Sequence, residues 1–249
     1  MVAFYLPGGI PVYGYSLLMA VGVFTGMTWV VWQSSEKETP RKLEAGLWAL
    51  LGGLIGGRSM FVAFNWGYYQ AHLWESLQVY QGGLSWPGAL AGGLVTLALY
   101  TGLTRQSLLE MADNLNPLLA CIAVCAWLGC WLDGCAYGAV TSPGWGLPAS
   151  DEWGQVSPRW PVQLIGALFT VGFFWSSERA MRRGDFKPGT LACLGLLNLS
   201  LISFGLSLLR VDPAPVWHGL RLDAWAALFF AIPALVVLCL LYRRRKEMV

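Results

Sequence analysis

The stretch LGCWLDGCAYG, residues 128–138, holds Cys130, Cys135, Asp133 and three glycines in apolar surroundings, with Cys125 just upstream. Thiols and a carboxylate this close together have the chemistry to ligate a metal, to pair as a disulfide, or to move a proton. Zinc sites use cysteine pairs about two to four residues apart, completed by a second pair or by histidines. Cys125, Cys130 and Cys135 stand five residues apart, which on a helix turns each one roughly 140° from the last. The chain has two histidines, His72 and His218. No metal and no cofactor is therefore expected. A disulfide remains possible, but buried cysteine commonly serves as a small packing residue. Packing is the preferred reading for Cys121, Cys125, Cys130, Cys135, Cys193 and Cys239.

The other candidates are charges set in apolar segments. Arg58 lies in GGLIGGRSMF and Asp133 lies in the stretch above. Ionisable residues in a hydrocarbon environment are costly, and they face protein or a water-filled cavity. The functional reading gives Arg58 an anionic headgroup and makes Asp133 an orienting or proton-accepting group. A structural Arg–Asp pair is the alternative.

What must position these residues is a membrane domain. The composition is 56% hydrophobic and 12% charged, against about 25% charged in soluble domains, and the mean hydropathy is +0.53. Seven apolar runs, about 10–33, 43–65, 84–103, 115–136, 161–178, 189–209 and 222–242, approach the roughly 20 residues that cross a bilayer as a helix. The expected fold class is all-α, a polytopic integral membrane protein with seven transmembrane helices. No linker or low-complexity tract divides it, so residues 1–249 read as a single transmembrane domain. The opening MVAFYLPGG lacks Lys and Arg, so the first run reads as a mature span and not as a signal peptide.

Basic residues set the orientation. Lys37, Arg41, Lys42, Arg105, Arg179, Arg182, Arg183, Lys187, Arg243, Arg244, Arg245 and Lys246 flank one side, and Arg159, Arg210 and Arg221 flank the other. The N-terminus is thus expected outside and the C-terminus in the cytoplasm. The net charge of +2 reflects these topology signals and implies no nucleic-acid partner. Small residues recur four apart at Gly22 and Gly26, Gly52 and Gly56, Gly53 and Gly57, and Gly88 and Gly92, a spacing that lets helices approach closely in lipid. Residues 66–83 read as an amphipathic interfacial element and residues 137–160 as an ordered, turn-rich loop. Both belong to the outer side, which should carry the working surface.

Taken in order along the chain, several strings resemble the bacterial prolipoprotein diacylglyceryl transferase family. Tyr13-Gly14 is similar to that family's Tyr-Gly near the start of its first span. GGRSMFVAFNWGYY resembles a Gly-Ala-Arg segment followed by an aromatic Asn-Trp-x-Tyr-Tyr stretch. GGLSWPGALAG resembles a GGLSFHGG-type motif, and LGCWLDGCAYG falls at a GRIGNFINGE-type signature. PGWGL and PRWPVQL resemble the Trp-Gly and Arg-His-Pro-Thr-Gln-Leu segments that follow. The resemblance covers nearly the whole chain. It implies a location in the bacterial cytoplasmic (inner) membrane as a multi-pass protein. It also implies transfer of a diacylglyceryl group from the phospholipid phosphatidylglycerol to the lipobox cysteine of prolipoproteins.

That chemistry needs cations on the departing phosphate and help in deprotonating a thiol whose free pKa is about 8.5. Matching residue by residue, the family His falls on Pro87, its signature Arg on Trp127, its two signature Asn on Cys130 and Asp133, and a second His on Trp160. The late Arg-x₃-Glu pair falls near Ser203 and Ser207. Tyr13, Arg58, Gly134, Arg159, Gln163 and Arg210 are retained and are assigned to substrate binding, with Asp133 as the candidate catalytic group. These replacements imply a catalytically impaired member acting as a lipid-binding accessory or scaffold subunit, with other membrane-protein subunits or prolipoproteins as partners. The alternative is an active transferase.

Overall fold

The computed structural model describes residues 2–6, 10–142, 144–181, 183–184 and 186–246. Arg182, counted above among the basic residues, lies outside them. The chain opens with strands β1 (Val2–Leu6) and β2 (Ile10–Tyr13), followed by helices α1 (Gly14–Trp32) and α2 (Thr39–Phe64). A short helix α3 (Trp66–Tyr69) and two 3₁₀ turns (Leu73–Leu77 and Val79–Gln81) lead into α4 (Trp86–Leu103) and α5 (Leu108–Asp133). Strands β3 (Leu147–Ser150) and β4 (Val156–Arg159) precede α6 (Val162–Met181) and α7 (Thr190–Ser207). Strands β5 (Val216–Trp217) and β6 (Leu220–Arg221) lead into α8 (Leu222–Lys246).

Each apolar run read from the sequence has become one long helix. Local signals mark their starts. Proline occupies the first turns of α2 and α4, where its missing N–H costs nothing. At α5 the Ser107 hydroxyl accepts the Glu110 backbone N–H at 3.3 Å. Six of these helices, α1, α2, α4, α5, α7 and α8, are long and apolar enough to cross a membrane. Helix α6 is long enough, but Gln163, Thr170, Ser176, Ser177, Glu178 and Arg179 make it more polar. Large apolar side chains point outward: Phe24 is 73% exposed and Phe229 69%. Such faces suit lipid and not water. The protein is a helical, polytopic membrane protein, and its described residues also form three two-stranded antiparallel hairpins, β1–β2, β3–β4 and β5–β6, which an all-α expectation lacks. The connection read as turn-rich, 137–160, contains the second of them.

The chain forms two compact units, residues 33–115 and residues 1–32 with 116–249. In the first, α2 and α4 cross at their glycines. A Cβ on Gly56 or Gly88 would collide with the backbone of the other helix, as would one on Gly92 or Gly52. The Thr96 hydroxyl bonds the Trp48 carbonyl at 2.9 Å across this crossing. In the second unit, a Cβ on Gly22 would lie 2.9 Å from the Cys125 Cβ, so α1 packs directly on the thiol-bearing face of α5. The packing reading thus holds for Cys125. Further along, Trp127, Ala136, Val162, Ala167 and Leu206 form a buried apolar cluster.

Candidate functional site

Helix α5 ends in a way that overturns one sequence expectation. Gly134 adopts φ +70°, and the Cys135 N–H bonds the Cys130 carbonyl at 3.0 Å. This is a Schellman cap, with glycine in the left-handed position just past the helix. The reversal brings Cys135 back over the last turn, and Cys130 and Cys135 form a disulfide with Cα atoms 4.6 Å apart. The packing reading of these two cysteines is therefore corrected. The 140° argument assumed a helix continuing through both, and the helix stops between them. A side chain at Gly134 would strike the Asp151 carbonyl, so residue 134 must be glycine for space as well as for conformation.

Asp133 is the last residue of α5, and its Oδ1 lies 3.6 Å from where a Gly14 Cβ would be. Half-buried Tyr13 ends β2 immediately before that glycine. The Tyr15 ring packs on Gly129, four residues before Asp133. The start of α1 and the end of α5 thus put Tyr13 and Asp133 in one neighbourhood.

The segment after the disulfide is bound on every side. Gln163, fully buried at the start of α6, donates from Nε2 to the Cys135 carbonyl at 2.8 Å, and its Oε1 has no hydrogen-bond partner among the described residues. Buried Arg159 pairs with Asp151 at 3.1 Å, lies 4.6 Å over the Tyr137 ring, and donates a long 3.5 Å bond to the Gly138 carbonyl. Asp151 also accepts the N–H groups of Trp153 and Gln155 at 3.1 and 2.9 Å, which closes the β3–β4 turn on itself. A β-bridge joins Gly138 to Arg210, and the Val211 N–H bonds the Tyr137 carbonyl at 3.0 Å.

Arg210 forms a bidentate pair with Asp212, Nε to Oδ1 at 2.9 Å and Nη2 to Oδ2 at 2.7 Å, and meets Asp223 at 3.3 Å. Arg221 meets the same two carboxylates at 3.2 and 3.8 Å. Burial would lower the Arg210 pKa, but the hydrogen bonds and charges of Asp212, with Asp223, hold it above its ordinary value. Burial pushes the Tyr137 hydroxyl up. Glu152, Asp151 and Asp212 add to this and Arg159 opposes it, so Tyr137 is a neutral hydroxyl. Three arginines are thus paired in charge with three aspartates, while Arg159 Nε and Arg221 Nε and Nη2 make no hydrogen bond among the described residues.

The structure gathers Tyr13, Asp133, Gly134, Arg159, Gln163 and Arg210 into the unit that contains both termini. Tyr137, Asp151, Asp212, Arg221 and Asp223 belong to the same network and were missed from sequence. One signal was available: Arg210-Val211-Asp212 and Arg221-Leu222-Asp223 repeat an Arg-x-Asp spacing.

Arg58 lies in the other unit and is 7% exposed. It donates to the carbonyls of Glu75, Ser76, Gly82 and Gly83 at 2.6, 2.7, 2.7 and 3.1 Å, and its guanidinium lies 5.7 and 5.4 Å from the rings of Phe61 and Tyr69. Gly82 and Gly83 both have positive φ, which lets two successive carbonyls face Nη1. A Cβ on Gly83 would sit 2.9 Å from that nitrogen.

Several of the replaced positions carry buried side chains. Pro87 is buried in the first turn of α4, and Trp127 is buried against Gly166. Ser207 is buried and bonds the Phe204 carbonyl of its own helix. Trp160 is 44% exposed and bonds the Ala139 carbonyl through its backbone N–H.

Comparison with known proteins adds to this geometry. A family described as "Prolipoprotein diacylglyceryl transferase" matches residues 1–240. A relative from Thermosynechococcus vestitus, named phosphatidylglycerol–prolipoprotein diacylglyceryl transferase, is 32% identical over 211 residues, covering 80% of this chain and 77% of its own. Relatives of the same name are 28% identical in Streptomyces coelicolor, covering 96% of this chain and 71% of theirs, and 27% identical in Mycobacterium leprae, covering 96% and 80%.

Proposed function

Because this chain belongs to the prolipoprotein diacylglyceryl transferase family and is a multi-pass protein of the bacterial cytoplasmic membrane, we propose that it is a phosphatidylglycerol-binding member. In this reading its transfer step is impaired and it serves as a lipid-binding accessory or scaffold subunit. The observation that carries the proposal is the pairing of Arg159, Arg210 and Arg221 with Asp151, Asp212 and Asp223. Preorganised donors stabilise developing charge only when they are aimed at it, and losing one such donor costs about 2.7–4 kcal/mol of transition-state stabilisation. To turn their bonded donors on a departing phosphate, Arg159 would have to break its bond to Asp151 and Arg210 its bidentate pair with Asp212. Trp127, in an apolar cluster where the resemblance places a signature Arg, contributes no cation either.

The proposed topology is a single membrane domain with seven spans, α6 being the seventh, the N-terminus outside and the C-terminus cytoplasmic. The asymmetry of basic residues supports it. So does the Cys130–Cys135 disulfide at the end of α5, since such bonds persist on the oxidising face of a bacterial membrane.

A second reading, an active transferase, draws on the names of the relatives. In it Asp133 takes the thiol proton, and Tyr13, Gln163 and the arginines hold the headgroup. Expression in cells depleted of their own transferase separates the two. The impaired member does not restore growth, yet purifies with phosphatidylglycerol bound. Rescue of growth that is abolished by Asp133→Asn at unchanged protein level would establish the active reading instead.

A further inference from the structure

Residues 133–140 hold the outer site together, and one covalent bond governs them. The Cys135 carbonyl takes the Gln163 amide, the Tyr137 ring lies under Arg159, and the Gly138 backbone bridges to Arg210. These partners come from α6, from β4 and from the segment after α7. Helix α6 is itself held on α5 by Trp127 packed against Gly166, and Ala136 joins that cluster, so what the Gly134 turn and the disulfide at its base fix is the path of the segment between them. A Schellman cap is often sealed by an apolar contact between the two residues that Cys130 and Cys135 occupy here; in this chain the seal is covalent. Both cysteines are half-buried.

We infer that the Cys130–Cys135 disulfide is the positioning device of this segment, and that thiol–disulfide exchange at this one bond decides whether residues 135–140 hold their register on Gln163, Arg159 and Arg210. The inference goes beyond the proposed function and stands whether or not the chain transfers lipid. The exchange balances with a dithiol. One dithiol thiolate attacks a sulfur of the pair and breaks the S–S bond, and its second thiolate then closes a disulfide within the reagent. Two electrons pass to the cysteines, which take up two protons as thiols. The freed Cys135 keeps its glycine turn but loses its tether. The segment can then open with Gln163, Tyr137 and Gly138 no longer in register with their partners.

The test uses the full chain in nanodiscs of phosphatidylglycerol and phosphatidylcholine, equilibrated across a series of dithiothreitol redox buffers. Peptide mass spectrometry reads alkylation of Cys130 and Cys135, and hydrogen exchange reads the amides of residues 135–140. In the native chain both signals should change at one midpoint potential, with exchange of the segment rising roughly 10- to 50-fold and returning on reoxidation. In a Cys130→Ser/Cys135→Ser variant the segment should exchange at the reduced level at every potential. Alkylation of both cysteines without reductant would overturn the inference. So would unchanged exchange after the bond has opened, and that result can be read in the native chain even if the variant does not fold.

Discussion

Replacing Arg58 separates a loop anchor from a headgroup ligand. In the native chain its guanidinium spends four hydrogen bonds on the carbonyls of Glu75, Ser76, Gly82 and Gly83, at 2.6–3.1 Å, while 7% exposed. A bond to a charged donor contributes about 1.5–3 kcal/mol, and an orphaned buried acceptor costs about 1–3 kcal/mol. Four bonds do not add in full, because a loop released at the membrane surface can rehydrate. A net loss of about 3–5 kcal/mol for Arg58→Ala is therefore expected. Local opening carries that loss, so amide exchange of residues 72–84 should accelerate on the order of 10²- to 10⁴-fold, while α7 and α8 stay protected. Arg58→Lys is the discriminating variant. An ammonium keeps the charge but cannot place donors on four carbonyls in one plane, so exchange of the same segment should rise by at least half as much on a logarithmic scale. A group whose main work is to hold a phosphate would behave otherwise, with lysine leaving the loop protected and only the bound lipid changed. Normal protection of residues 72–84 in Arg58→Ala would refute the reasoning outright.

Two further outcomes follow from the other unit. Asp212→Asn removes the bidentate partner of Arg210 and one partner of Arg221; both are half-buried and keep Asp223, so the loss falls below the about 3–5 kcal/mol of a fully buried pair, and the thermal midpoint should fall while Asp212→Glu recovers part of it. Burial and the surrounding carboxylates raise the Tyr137 pKa, so the folded state favours the neutral hydroxyl. Stability from this group is complete below the unfolded tyrosine pKa of about 10 and is lost as pH rises through the higher folded value. The ultraviolet difference between native and Tyr137→Phe protein should show phenolate only above pH 10 or so, coincident with loosening of the loop. An ordinary tyrosine titration in that difference would contradict it.

The helices were legible in the chain because their causes are local. A run of apolar residues near bilayer length has to satisfy its backbone internally as a helix. That close helix approach would occur at Gly52, Gly56, Gly88 and Gly92 was legible too, since they stand four apart and only missing side chains allow backbones so close; which helix meets which was not. Asp133, Gly134, Arg159, Gln163 and Arg210 were marked as polar residues in or beside apolar elements. Their partners were not legible. Arg159 finds Asp151 through a hairpin, and Arg210 finds Asp223 across the β5–β6 hairpin, and no spacing rule states which loop folds onto which. Arg58 fills its donors with carbonyls, groups that every residue carries and that no sequence pattern distinguishes. Whether Cys130 meets Cys135 depended on one backbone reversal at Gly134. Sequence by itself determined which segments become long apolar helices, because that pattern needs no knowledge of neighbours. Which charges are spent on structure was decided only in the tertiary fold, because that depends on where distant loops return.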